Sequence, residues 1–262
     1  MFSLESITNA VQDWLNANFS PMWALIIQCA IVILLAMGLF ATLGLVLVLM
    51  ERKVAAHMQI RLGPNRVGPK GMFQTAADTL KLIMKEGLTP EGADKLLFNL
   101  APFVVMIVSM LLLAPLAFSN GFQLWDLNIG VLFISAVSSV SVIGILMAGW
   151  ASNNKYSLLG AMRSGAQIVS YELSAGLSII SIVVLAGSLQ ISDIINSQQD
   201  GWWIFKGHIP AIISFVIFII AVTAETNRAP FDLAEAESEL TAGFHTEYSG
   251  MKFALFFLAE YI

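Results

Sequence analysis

The longest apolar run of the sequence covers residues 21–50 and contains no charged side chain. A helix of about 20 apolar residues is long enough to cross the hydrocarbon core of a bilayer. The run therefore predicts a transmembrane helix that is tilted or that continues past the membrane. Only 12% of the whole chain is charged, against about 25% in soluble domains. Both features indicate an integral membrane protein.

Further apolar runs follow along the chain, and together they predict an all-α, polytopic bundle of transmembrane helices that forms a single domain over residues 1–262. The predicted spans are 21–50, 96–118, 129–150, 165–187 and 209–225, and a sixth begins at 251–262. This last piece would reach only about 18 Å as a helix, which is too short to cross a bilayer. We therefore expect the native chain to continue beyond residue 262.

The basic residues are sorted by side. If the spans alternate in direction, twelve of the thirteen Lys and Arg residues lie on one face of the membrane, and Lys206 alone lies on the other. Positive charge marks the cytoplasmic side of membrane proteins. We therefore predict an outside N-terminus, with the basic loops in the cytoplasm.

The loop after the first span has a recognisable sequence pattern. Two Gly-Pro pairs in the stretch RLGPNRVGPKG, residues 61–71, predict turns. Apolar residues then recur at helical spacing, which predicts an amphipathic helix in the membrane surface. The alternative is a helix packed on a partner protein. The apolar residues are Phe73, Ala76, Ala77, Leu80, Ile83 and Met84.

No readable motif for a metal or a nucleotide is present. The chain has one cysteine, Cys29, and its histidines are His57, His208 and His245, far apart in sequence. A single thiol cannot hold an iron–sulfur cluster, and these spacings match no metal-ligand pattern. We therefore predict no metal site and no cofactor bound by this chain.

Residues 231–250 gather five carboxylates and no Lys or Arg. Pro230 suits a helix start and Gly243 a helix stop. A short helix over residues 230–242 would place Asp232, Glu235 and Glu239 on one face. A solvated acidic surface is the alternative, although interleaved apolar residues favour partial burial.

Three more carboxylates lie in or beside apolar runs. Glu172 is seven residues inside the fourth predicted span, Glu225 ends the fifth, and Glu260 lies in the last run. A carboxylate within a span is costly and should face a polar interior. The alternatives are a hydrogen bond from a neighbouring helix for Glu172 and an ordinary helix-end charge for Glu225.

These acids predict one hydrated cavity in the cytoplasmic half of the bundle. Carboxylates held close together resist being ionised at the same time, so they exchange protons readily. The pattern indicates a proton path or a cation site. Its candidate residues are Glu172, Glu225, Asp232, Glu235, Glu237, Glu239, Glu247 and Glu260.

Three long motifs resemble one known family. They are MERKVAAHMQIRLGPNRVGPKG at residues 50–71, QIVSYEL at 167–173, and ETNRAPFDLAEAESELTAGFHTEYSGMKFALFFLAEY at 225–261. All three are similar to the H-type membrane subunits of proton-pumping NADH–quinone oxidoreductase, respiratory complex I, whose mitochondrial counterpart is NADH dehydrogenase subunit 1. The membrane subunits of energy-converting hydrogenases are related, but the full acidic loop favours the quinone enzyme.

The resemblance implies a role within a larger assembly. Such a subunit joins the membrane arm to the peripheral arm and encloses part of a quinone chamber, where quinone is the substrate. Flavin and iron–sulfur clusters belong to partner subunits, and no redox activity is expected from this chain alone. The implied partners are the other membrane and peripheral subunits and lipid, with no nucleic acid, in a bacterial inner (plasma) membrane.

The resemblance also implies two sets of site residues. The acids named above correspond to the family's proton path. The residues that correspond to the quinone chamber or its entrance are Glu51, Arg52, Arg61, Asp78, Arg228, Phe256 and Phe257. For Arg52 and Arg61 the alternative is anchoring to lipid phosphates, and for the acids it is docking to the peripheral arm.

Two rival functions come from other classes. A proton-coupled secondary transporter would show an internal repeat and a broken helix, and no repeat is found. A pure scaffold would have no need for Glu172 inside a span.

Overall fold

The structure is a computed structural model that describes residues 14–15, 17–119, 122–123, 125–228, 230–234 and 237–261. Its internal contacts divide the chain into two compact units, Met1–Thr75 and Ala76–Ile262. The prediction of one transmembrane domain over the whole chain stays a prediction.

The first unit is built on a long helix, α1, which runs from Pro21 to Met58. Pro21 suits the first helical position, since its missing N–H would have no partner there. The helix continues past the uncharged run and carries Glu51 and Arg52 in its last turns. The loop that follows folds back, because Lys53 Nζ donates to the Lys70 carbonyl at 2.8 Å.

The second unit is formed by helices with short connections. Its helices are α2 (Gln74–Met84, which begins at the unit boundary), α3 (Lys95–Leu112), α4 (Gly130–Ala151), α5 (Lys155–Ala186), α6 (Ile191–Asn196), α7 (Trp203–Lys206), α8 (His208–Glu225), α9 (Glu237–Leu240) and α10 (Gly250–Tyr261). Strand β1 (Ala117–Ser119) pairs antiparallel with β2 (Phe122–Gln123). A 3₁₀ turn covers Gly243–His245.

Four helices in the described part of the chain are long and apolar enough to cross a membrane, namely α3, α4, α5 and α8. The prediction of an all-α polytopic bundle is confirmed. Two helices differ in extent from the predicted spans. Helix α5 begins at Lys155, ten residues early, because the Asn154 side chain caps it by accepting from Tyr156 N at 2.9 Å. Helix α3 ends at Leu112, ahead of Pro115.

Alternating connections put two groups of loops at opposite ends of the second unit. At one end, Asp94 N donates to the Ala151 carbonyl at 3.1 Å, so the start of α3 meets the end of α4. At the other end, Val131 N donates to the Leu189 carbonyl at 3.1 Å. The segment that follows α8 returns to the first of these ends, where the Tyr248 hydroxyl donates to the Phe98 carbonyl at 3.2 Å.

The predicted amphipathic helix is present as α2. Its apolar residues Leu80, Ile83 and Met84 are exposed on the second unit. An exposed apolar face of this kind suits the membrane surface or a partner. Which of the two covers it stays a prediction.

The core of the second unit combines large buried side chains with small residues where backbones meet. Phe98, Ala148 and Ala161 have no exposed surface. Gly160 on α5 lies against the 3₁₀ turn, and an added Cβ would come within 2.8 Å of the Gly243 backbone. The absence of a side chain at Gly160 is what allows the turn to pack on α5.

We expect Gly160→Ala to lower the free energy of unfolding by about 1–3 kcal/mol, because overpacking displaces backbone that cannot yield. Thermal unfolding of the purified protein would measure the change. Gly176→Ala on the same helix is the matched control, since a Cβ there meets nothing within 4 Å. Equal midpoints for the two variants would contradict this account of the packing.

Candidate functional site

A cavity of about 340 Å³ lies inside the second unit, and two carboxylates from different helices line it. Glu225 comes from the end of α8 and Glu260 from α10, and both are half-buried. Asn227 and His245 add further polar groups to the lining. The wall is otherwise largely apolar, so the charged groups have little other polar surface around them.

Glu172 on α5 is connected to this cavity through serines on α4. Ser138 lines the cavity and donates to Glu172 Oε1 at 3.1 Å. Ser139 donates to the same oxygen. Glu172 and Glu225 are near enough to repel each other when both are charged. Glu172, Glu225 and Glu260 thus form an acidic cluster on three helices, in which Glu225 is coupled to Glu172 and shares the cavity with Glu260.

The two serine hydroxyls have a choice of acceptor. Each lies 3.0 Å from the Ser135 carbonyl as well as next to Glu172. A hydroxyl can donate to one acceptor and accept from another donor. Both serines can therefore donate to an ionised Glu172, or one of them can accept from the single O–H of a protonated Glu172 while donating to the Ser135 carbonyl.

One cation, Arg228, compensates negative charge in the cavity next to α10. Arg228 forms an ion pair with Glu260 at 3.1 Å, and its guanidinium lies 4.9 Å from the centre of the Tyr261 ring. A close cation favours the ionised form of a carboxylate. The resemblance assigns Arg228 to the quinone chamber, whereas in the structure it contacts Glu260, which the resemblance assigns to the proton path, and Tyr261.

His245 enters the cavity from the 3₁₀ turn and is surrounded by aromatic rings. The ring centres of Phe244 and Phe253 lie 4.9 and 5.3 Å from the imidazole centre. Burial lowers the pKa of His245 from 6.5 to about 4, because the charged imidazolium would lose its hydration. His245 is therefore neutral at physiological pH.

The remaining predicted acids lie apart from the cavity lining. Glu239 is exposed and pairs with Arg163 at 2.6 Å, and Glu247 accepts from Asn154 Nδ2 at 2.6 Å. Asp232 is half-buried in the turn after α8. Glu235 lies outside the described residues, and of Glu237 only the backbone is described, in α9.

The prediction of a helix from Pro230 to Ala242 is wrong for residues 230–234, the described first part of that range. Residues 230–234 form turns and a bend, and α9 covers only four residues. The Phe231 carbonyl accepts from Gln167 Nε2 at 2.8 Å, which supplies the partner that a helix would provide. Asp232 and Glu239 accordingly do not share one helical face.

The aromatic residues Phe256 and Phe257 line the acidic cavity from α10. The ring centres of Phe256 and Tyr248 are 4.9 Å apart, edge to face. Asp78, which the resemblance associates with the quinone path, is half-buried on α2.

The first unit has a pocket of its own, of about 530 Å³. Glu51, Arg52 and Arg61 all line it, together with the turn at Gly63 and Pro64. Arg61 is held by its Nε, which donates to Gln59 Oε1 at 2.6 Å. The structure thus brings together the three residues that the sequence assigned to the chamber at the end of the first span.

Comparison with known proteins shows the family. A model of the NADH dehydrogenase family matches residues 11–262. The chain belongs to the NADH dehydrogenase family. Within it, the chain is similar to proteins named as the H subunit of NADH-quinone oxidoreductase, which confirms the resemblance found in the motifs.

Three of these relatives show the extent of the similarity. The protein of Bacteroides thetaiotaomicron is 55% identical over all 262 residues of this chain, which cover 73% of the relative. That of Bacteroides fragilis is 54% identical over the same length and share. That of Rhodospirillum rubrum is 48% identical over 249 residues, 95% of this chain and 72% of the relative.

In this member of the NADH dehydrogenase family, sequence reasoning missed several polar residues of the site, above all Ser138, Ser139, Asn227 and His245. One signal was available. The stretch SAVSSVS, residues 135–141, places four serines in an apolar helix. Serines within transmembrane helices commonly hydrogen-bond to neighbouring helices, so this stretch pointed to a polar partner such as Glu172.

We expect stability to fall in acid through His245. Its pKa is lower in the folded state than in the unfolded chain, so protons bind preferentially to the unfolded chain as the pH falls from about 6.5 to 4. At pH 5 this preference lowers the free energy of unfolding by about 2 kcal/mol. Thermal unfolding of the wild type and His245→Gln at pH 7 and pH 5 would measure the effect.

His245→Gln should show a smaller loss between pH 7 and pH 5 than the wild type. The matched control is His208→Gln at an exposed histidine, which should keep the wild-type pH dependence. Identical pH dependence in all three proteins would contradict the assignment to His245.

Proposed function

We propose that this chain is the membrane subunit of an NADH–quinone oxidoreductase, in which it forms part of the quinone chamber and couples quinone reduction to proton translocation. One observation carries the proposal. Glu225 and Glu260 share a cavity inside the bundle, and Ser138 connects it to Glu172. The names of the relatives supply the reaction class.

The overall reaction defines what the chain must do. NADH and one proton reduce a quinone to the quinol and leave NAD⁺. Each turnover moves two electrons; the quinone gains two protons and the oxidation of NADH releases one, so one proton is taken up net. No motif in this sequence holds a redox group, and the electrons would come from flavin and iron–sulfur clusters on partner subunits. The chain's own contribution is to bind quinone and to move protons.

The pocket of the first unit supports the quinone-binding part of the proposal. Arg52 and Arg61 line one pocket with Glu51. As a quinone accepts electrons it gains negative charge, and a fixed guanidinium stabilises that charge. The apolar part of the lining, Ala55 of α1 with Leu62 and Pro64 of the loop, suits an isoprenoid tail.

The acidic cavity supports the proton-moving part. Glu225 and Glu260 line one cavity, and Ser138 connects it to Glu172, so three carboxylates that can accept or donate protons lie in succession. The serine hydroxyls tolerate either protonation state of Glu172, as the two acceptor choices allow. Such a cluster passes protons without a rearrangement of helices.

The location follows from the same proposal. The chain would cross a bacterial plasma membrane with its N-terminus outside and its acidic and basic loops in the cytoplasm, as the distribution of Lys and Arg indicates. The peripheral subunits would meet the exposed acids of this face, of which Glu239 is one. A secondary transporter is the weaker candidate, because the relatives carry the name of an oxidoreductase subunit.

We expect Glu172→Gln to lower quinone-coupled proton pumping in the assembled complex by about tenfold or more, since a positioned proton-transfer group contributes about 10²–10⁴-fold. A glutamine oxygen still accepts from Ser138 and Ser139, so the packing stays while the charge is lost. Dye-reported proton uptake into vesicles during NADH oxidation would measure pumping.

The control for this variant is Glu91→Gln, an exposed acid of the same unit. Both variants should oxidise NADH at the wild-type rate with an artificial electron acceptor. Normal pumping by Glu172→Gln would exclude this carboxylate from the proton path.

Arg61→Ala should raise the KM for quinone by about tenfold, equal to about 1.4 kcal/mol, because the pocket loses a cation that faces the reacting quinone. Steady-state kinetics with a soluble short-chain quinone would measure it. Arg66→Ala, a basic residue of the same loop that does not line the pocket, is the matched control. Equal KM values for both variants would remove Arg61 from the chamber.

A further inference from the structure

Gln167 is a buried amide that neither the acidic cluster nor the quinone pocket accounts for. It lies on α5 with 5% of its surface exposed. Its Nε2 donates to the Ala224 carbonyl at 2.7 Å and to the Phe231 carbonyl at 2.8 Å. An amide NH₂ has two hydrogens, and both are therefore used by main-chain oxygens.

These two carbonyls lie at the two ends of one short segment. Ala224 is in the last turn of α8, where its carbonyl also accepts from the Asn227 N–H at 3.3 Å. Phe231 follows a turn in which its own N–H donates to the Arg228 carbonyl at 2.7 Å. The Gln167 amide thus closes residues 224–231 into a loop, with a third and longer contact to Asn227 Oδ1 at 3.4 Å.

The closed loop carries two charged groups of the cavity. Glu225, next to Ala224, lines the cavity, and Arg228 pairs with Glu260 at 3.1 Å. A second contact from α5 supports the same loop, because the Tyr171 ring lies 5.2 Å from the Phe231 ring, centre to centre. Glu172 follows Tyr171 directly, so one helix holds both the loop and the third acid.

The orientation of the Gln167 amide indicates that its NH₂ group serves to hold the loop after α8. Both near partners are acceptors, so the NH₂ must face the loop. The Gln167 Oε1 atom then points into the interior, where it accepts no hydrogen bond from the described residues. An unsatisfied buried oxygen is unfavourable, and the two hydrogen bonds on the other side of the amide offset it.

The geometry points to Gln167 as a positioning residue of the proton path, which sets the distances of Glu225 and Arg228 from Glu260 and Glu172. This inference rests on the proposed function of the acidic cavity. Gln167 itself neither touches quinone nor exchanges a proton. It acts through the loop that it closes.

The test uses Gln167→Met and Gln167→Glu in the assembled complex. Methionine fills a similar volume and donates no hydrogen bond, so the loop is released. We expect pumping per NADH oxidised to fall by about tenfold, since a displacement of about 1 Å at a site is enough to cost that and more. NADH oxidation with an artificial acceptor should stay at the wild-type rate.

Gln167→Glu adds a signature that a purely structural role would not produce. A protonated carboxyl group donates one hydrogen bond to a carbonyl, whereas a carboxylate donates none and repels both oxygens. Pumping by Gln167→Glu should therefore approach the wild-type value at low pH and decline as the pH rises. The matched control is Ser164→Ala, which removes a fully buried hydroxyl one turn earlier that bonds to no described residue.

Several results would overturn the inference. Gln167→Met with the pumping and the pH profile of the wild type would contradict it. If that variant does not assemble, the ratio of pumping between Gln167→Glu and the wild type decides, and a ratio that does not change with pH would contradict the inference. If neither variant assembles, a density map of the wild-type complex decides, and an amide beyond hydrogen-bond distance from both carbonyls would overturn it.

The same experiments separate this inference from the proposed function. Normal pumping by Glu172→Gln would end the proposed proton path itself. Impaired pumping by Glu172→Gln together with normal pumping by Gln167→Met would remove only the role of Gln167.

Discussion

The constraint on which the second unit depends is that hydrocarbon offers no hydrogen bonds. A polar side chain placed inside the bundle is costly unless it hydrogen-bonds to another part of the protein. Glu172 finds Ser138 and Ser139, and Glu260 finds Arg228. These partners come from other helices or from the loop after α8, so satisfying them also fixes how the elements pack around the cavity.

The same constraint separates two classes of acid in one stretch of sequence. Glu225 and Glu260 are half-buried and line a cavity with largely apolar walls, where Arg228 is the ion-pair partner of Glu260. Glu239 pairs with Arg163 at an exposed site, where ion pairs contribute little to stability. We propose proton transfer for the first class and contact with another subunit for the second.

Local sequence composition predicts much of this architecture. Uncharged runs predicted the spanning helices, and the helical spacing of Leu80, Ile83 and Met84 predicted α2. Both signals lie within a short stretch of neighbouring residues. The helix predicted from Pro230 failed because its signals were local while the deciding contacts were distant. Gln167 and Tyr171 hold Phe231 from another helix, 60 or more positions earlier.

For the site, sequence similarity grouped the acids, but it could not sort them by environment. Which acids share a cavity, and which donors face them, depends on the approach of helices far apart in the chain. The sequence by itself determined the class of the fold, the crossing helices and the family, because hydrophobic length and motif identity are local properties. Only the tertiary structure decided that Glu225 and Glu260 line one cavity with His245, that Ser138 connects it to Glu172, and that Gln167 closes the loop between them, because burial and hydrogen bonding arise where separate segments meet.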